Sequence, residues 1–165
     1  MGKENKKVYV LEELTGEYED KHTHILACYV DPDKAKADAA RYQKRVDTML
    51  DRYEKTSDGM EELKDSIFKE FLKDINKELY DELIAEEELI SKNASGQSRF
   101  DWDKYYDGRD EFYTDTEAFK EYAAKYGCTE EQIEDIEIYN EVEDEGMMYS
   151  RPYYFVSNYP VDLIE

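Results

Sequence analysis

The 165 residues carry 43 Asp and Glu against 22 Lys and Arg, a formal net charge of −21, yet 40% are hydrophobic and 16 are tyrosine. That balance excludes a disordered acidic tail, because enough apolar surface remains to build a core. It argues equally against direct binding to nucleic acid or to an acidic membrane, which the charge repels. The longest apolar runs span a few residues, far short of the ~20 that a membrane helix needs.

The charge is also unevenly placed. Residues 1–55 hold 11 basic and 12 acidic residues, whereas residues 56–165 hold 11 and 31. The excess is densest from Asp81 to Glu145, where 22 acids face 6 bases. Such asymmetry bears on partners rather than on fold, and it favours basic protein surfaces. Cys28 and Cys128 stand a hundred residues apart, make no ligand spacing and follow no apolar leader, which reads as reduced thiols in a cytoplasmic protein.

Taken in chain order, Lys7–Leu14 (KVYVLEEL) and His24–Val30 (HILACYV) are β-branched and aromatic, joined by the polar TGEYEDKHT. They predict two antiparallel strands. Asp31-Pro32 suits a helix start, with Asp as cap and Pro in the first turn. A first helix follows to about Glu54, its stripe running through Ala35, Ala39, Tyr42, Val46, Met49, Leu50 and Tyr53. Thr56–Gly59 breaks it, with Ser57 or Asp58 as the next cap. A second helix is expected to run from Met60 to Ile90, burying Ile67, Phe71, Ile75 and Leu79 against the first as an antiparallel hairpin. Ser91–Arg99 reads as a loop, and the acidic, aromatic stretch Phe100–Tyr113 follows. Thr116–Tyr126 predicts a short helix stopped by Gly127, and Thr129–Gln132 has capping-box spacing for one more turn. Ile136, Ile138, Asn140 and Val142 alternate with polar residues as in a half-buried strand. Asp144–Gly146 turns the chain into a last strand over Met147–Val156, where Pro152 indicates an edge or a bulge.

The expected architecture is α+β, an antiparallel sheet of about four strands in the order β-β-α-α-α-β-β with a long projecting helical hairpin. Residues 1–165 read as a single domain. Residues 7–55 and 115–165 form a sheet-helix scaffold, and 56–113 a helical, acidic-aromatic insertion.

The segment Lys7–Tyr42, through VYVLEE, GEYED and ILACYVDPDKAKADAARY, resembles the opening of small phage and prophage proteins of unassigned activity. IEDIEIYNEVE and the strand after it resemble their closing hairpin. The likeness covers a third to a half of the chain. It implies a hairpin-helix scaffold and a mobile-element context. By character alone, the chain is similar to the acidic anti-restriction and anti-CRISPR proteins that occupy nucleic-acid grooves, a likeness that assigns no residue.

The candidate site is a partner-binding surface. Glu82, Glu86 and Glu87 lie towards the end of the long helix, and Asp101, Asp103, Asp107, Asp110 and Glu111 follow after one loop, interleaved with Trp102, Tyr105 and Tyr106. Tyr and Trp anchor protein interfaces while rim charges speed encounter. A calcium loop over Asp101–Gly108 fails in register, since the twelfth position from Asp103 is Thr114. His22, His24 and Cys28 have no zinc-ligand spacing. There is no GxSxG, phosphate-cradling glycine loop or HExxH, and only two histidines for base catalysis.

The expectation is a non-enzymatic inhibitor from a phage or mobile element, without cofactor or metal. It would block a basic nucleic-acid-binding surface of a host defence complex by charge mimicry, acting as a monomer or weak dimer. Two alternatives stand beside it: an acidic adaptor or antitoxin-like partner of one basic protein, and a carboxylate-based hydrolase.

Overall fold

A computed structural model describes residues 6–16, 21–92 and 100–160. Residues 17–20 and 93–99, in the two loops expected around Gly16 and over Ser91–Arg99, lie outside the described residues. The fold is α+β, with six helices and a three-stranded antiparallel sheet among the described residues. It divides into two compact units, Met1–Lys55 with Ile138–Glu165, and Thr56–Glu137.

In the first unit, β1 (Lys7–Thr15) is the central strand of a sheet in the order β2-β1-β3, with β2 spanning His22–Tyr29 and β3 Tyr153–Pro160. Val10 faces Cys28 on one side and Ser157 on the other. The β1–β2 register shifts between Leu11 and Glu12, which pair with Ala27 and Ile25, so Leu26 is the extra residue of a bulge. Helix α1 (Pro32–Thr56) starts where Asp31 accepts from the Asp33 amide at 2.9 Å. Its stripe buries Ala35, Ala39, Val46, Met49 and Leu50. The lower part of that stripe packs against Val142 and Met147, with Tyr53, Ile138 and Tyr154 at the margin. Gln43 ties α1 to the start of β3, donating to the Pro152 carbonyl at 3.2 Å and accepting from the Tyr154 amide at 3.0 Å.

The second unit is helical: α2 (Met60–Ile75), α3 (Lys77–Ser91), α4 (Trp102–Thr114), α5 (Thr116–Tyr126) and the first half of α6 (Glu130–Asp144). Its core gathers Ile67, Phe68 and Leu72 with Leu79, Leu83, Tyr105, Phe112, Phe119, Ala123 and Ile136, all buried. Gly127, at φ 106, ends α5 as expected. The Gly127 and Cys128 amides return to the Ala124 and Ala123 carbonyls in a left-handed cap.

Several expectations are corrected. The strand expected over Ile136–Val142 is helix α6. The reciprocal bonds of Thr129 and Gln132 open it, at 3.2 and 2.9 Å, and it runs on for four turns. Ile136, Tyr139 and Val142 are buried at a spacing of three, so the helical period wins over the alternating one. The last strand, expected over Met147–Val156, is β3 at Tyr153–Pro160, so Pro152 lies before it.

The expected second helix is two helices. Asn76 leaves the helical conformation at φ −141 and its side chain caps α3, accepting from the Leu79 amide at 3.2 Å. The cap of α2 is Gly59 rather than Ser57 or Asp58. Within the first unit α1 is covered by Val142 and Met147, and within the second α2 packs with α3, α4 and α5. Ile75, expected in the core, is 65% exposed.

Candidate functional site

Helix α4 and its neighbours hold most of the residues singled out above. Asp101 begins the helix, its carboxylate accepting from the Lys104 amide at 3.0 Å. Asp115 closes it and at the same time caps α5, accepting from the Ala118 amide at 3.3 Å.

The inward face of α4 is fastened to α2 along its length. Tyr105 and Phe112 bury their rings against Phe68, with centroids 5.3 and 5.6 Å away. Between them Gly108 lets the helix approach closely, since a Cβ there would stand 3.4 Å from Phe68. Arg109, its side chain 11% exposed, reaches Asp65 at 2.6 Å and Glu61 at 2.9 Å and lies over the Tyr106 ring. Burial works against the Arg109 charge, but Asp65 and Glu61 outweigh it and hold its pKa above the ordinary guanidinium value. The Tyr105 hydroxyl also donates to Asp65, at 3.0 Å, and that of Tyr113 donates to the Lys64 carbonyl at 2.7 Å. Burial pushes both phenols well above their usual range.

Because that face is occupied, the opposite one is free for charge. Asp103, Asp107 and Asp110 are exposed along it at helical spacing. On one flank Tyr106 stacks on Trp102 at 5.9 Å, and Phe100 meets Trp102 edge-on at 4.7 Å. On the other flank opens a groove of about 1040 Å³. Phe71, Ile75 and Leu79 contribute to its floor, and Asp101, Asp103, Asp107, Glu111 and Asp115 to its rim, with Lys104 as the one base among the lining residues.

The eleven expected contact residues thus separate. Glu82, Asp101, Asp103, Tyr106, Asp107, Asp110 and Glu111 are exposed, and Trp102 is half-buried. Tyr105, at 2% exposure, is a core residue rather than an interface anchor, and Glu86, at 8%, is likewise withdrawn from the surface. Glu87 is paired with Lys69 of α2. Glu82, Glu86 and Glu87 do not line the groove. Sequence reasoning missed the groove itself. Its signals were Asn76, which interrupts the apolar stripe and strands Ile75 at a helix end, and Gly108, which thins α4 where α2 passes.

Asp101–Gly108 forms the cap and first turns of α4, not a cation-binding loop. His22 and His24 are exposed on β2 in the first unit. Among the described residues no three His, Cys, Asp or Glu side chains converge as a metal site requires, and no helix is long and apolar enough to cross a membrane. Both cysteines are free. No protein-family model, curated protein or solved structure matches this chain.

Proposed function

We propose that this chain is a non-catalytic acidic binding protein that occupies the basic, nucleic-acid-binding surface of a partner protein by charge mimicry. The observation that carries the reading is the outward face of α4. There Asp103, Asp107 and Asp110 stand exposed beside Trp102 and Tyr106, on a helix that Arg109, Tyr105 and Tyr113 hold fast. A surface fixed before encounter loses little freedom on binding.

The wider charge distribution supports the same reading. The second unit carries 25 acids against 10 bases, a net of −15. Helices α4 and α6 have no basic residue in their last turns and place Glu111 and Asp144 near those ends. Carboxylates there oppose the helix dipole. A cationic partner relieves that opposition, whereas helix stability alone does not explain it.

An adaptor reading, docking on one basic protein without mimicry, is favoured by the groove, whose apolar floor has no counterpart in a phosphate backbone. The mobile-element setting is what the resemblance of Lys7–Tyr42 implies, the host-defence setting is what the likeness in character to acidic anti-restriction and anti-CRISPR proteins implies, and both are part of the proposal.

The experiment is capture of the partner from host lysate at low and high salt, followed by gel shift of that partner on its nucleic acid. Mimicry expects this protein to displace the nucleic acid, and expects Lys at Asp103, Asp107 and Asp110 to abolish displacement. A partner that holds its nucleic acid with this protein attached overturns mimicry and leaves the adaptor.

A further inference from the structure

We propose that the groove between α2 and α4 docks a basic amphipathic helix of the partner, whose apolar side chains enter the floor while its Lys or Arg side chains meet the carboxylate rim. The inference rests on the acidic docking reading above and names the segment that this part of the surface takes.

The floor asks for apolar side chains. Ile75 is 65% exposed beside half-buried Phe71 and buried Leu79, a contiguous apolar strip within a surface otherwise rich in charge. The rim asks for cations in series. Asp103, Asp107 and Glu111 recur every four residues along α4, in steps of about 6 Å. Lys or Arg residues four apart on an incoming helix repeat at the same ~6 Å. Asp101 and Asp115 extend the rim at the two ends of α4.

The dimensions agree. A helix about 10 Å across fills roughly 120 Å³ per residue of rise, so 1040 Å³ matches about two turns. Apolar anchors at i, i+3, i+4 and i+7 on such a helix would reach the floor. The anionic rim rejects nucleic acid and acidic peptides, and a polyamine would leave the apolar strip uncovered.

The test uses the full chain and two labelled synthetic peptides of about four turns. One carries Leu along one face with Lys on both flanks, and the other is a scramble of the same composition. By fluorescence anisotropy the amphipathic peptide should bind roughly tenfold tighter than the scramble. Ile75→Asp should weaken it by about tenfold, although the protein gains negative charge, and should leave the scramble unweakened. Ile75 is exposed, so the substitution spares the core. Equal binding of the two peptides, indifferent to Ile75→Asp, overturns the groove and leaves the acidic docking reading standing. Displacement by spermine as effectively as by the amphipathic peptide at equal charge overturns the role of the floor. Binding of neither peptide at low salt removes the acidic docking reading, and the groove with it.

Discussion

Arg109 is the residue on which the presentation of α4 turns. Its guanidinium bridges two carboxylates of α2, and Asp65 also receives the Tyr105 hydroxyl, so one cation organises two elements. Arg109→Met keeps the length of the side chain but removes its ion pairs with Asp65 and Glu61. The expected cost is about 2 kcal/mol, the scale of a charge-assisted hydrogen bond, read from urea unfolding. Arg109→Lys should recover only part of it, because an ammonium lacks the planar fork.

The tyrosines make a second residue-scale prediction. Tyr105, Tyr113 and Tyr154 have pKa values raised by burial, with Asp65 beside Tyr105 and Glu13 beside Tyr154 adding to it. A raised folded value favours the neutral phenol, so this stability is complete below the ordinary value of 10.0 and is lost as the pH rises above it. Stability should fall steeply with pH beyond that point, and Tyr113→Phe should reduce the slope. At the acid end Asp47 has the opposite sign. Its bonds from Arg151 and Gln43 lower its pKa, so its contribution is present above the ordinary 3.8 and lost as the pH falls through the lowered value.

Among the elements, Asn76 decides whether residues 60–91 make one helix or two. Its side chain satisfies the Leu79 amide, and its own amide returns to the Leu72 carbonyl at 2.7 Å. Asn76→Ala should cost about 1 kcal/mol through the lost cap, while Asn76→Asp should keep it; thermal unfolding distinguishes the two. The apolar stripe was legible across this point because Leu72, Leu79 and Leu83 keep a helical spacing on both sides of the break. The break was not, since a single polar residue is compatible with a continuous helix. Helix α6 shows the converse ambiguity. Ile136, Ile138 and Val142 keep a period of two while Ile136, Tyr139 and Val142 keep a helical one, and tertiary burial of the latter three selects the second. The β1–β2 pair, α1 and α5 were readable from Asp31-Pro32, Gly127 and unbroken periodicity. The aromatic-acidic identity of the site was readable too. Which aromatics point inward was not: Tyr105 and Tyr106 are neighbours in sequence, yet one is core and the other 45% exposed, a difference of one helical step.

At the scale of the whole molecule the charge of −21 acts twice, with opposite signs. Within each unit the carboxylates repel one another, and the second unit, at −15, carries the larger share of that cost. Raising the salt from 0.1 to 1 M shortens the screening length from ~10 Å to ~3 Å, so unfolding temperature should rise with sodium chloride. Association with a basic partner depends on the same field reaching outward, and its rate should fall over the same interval while dissociation changes little. The two curves separate the readings of the surface. If α4 and its rim steer encounter, replacing Asp103, Asp107, Asp110 and Glu111 by Asn and Gln should flatten the salt dependence of association and raise the unfolding temperature at low salt in the same protein. A variant that gains stability yet associates with an unchanged salt slope would show that these four carboxylates repel one another without guiding a partner, and would move the site of encounter away from α4.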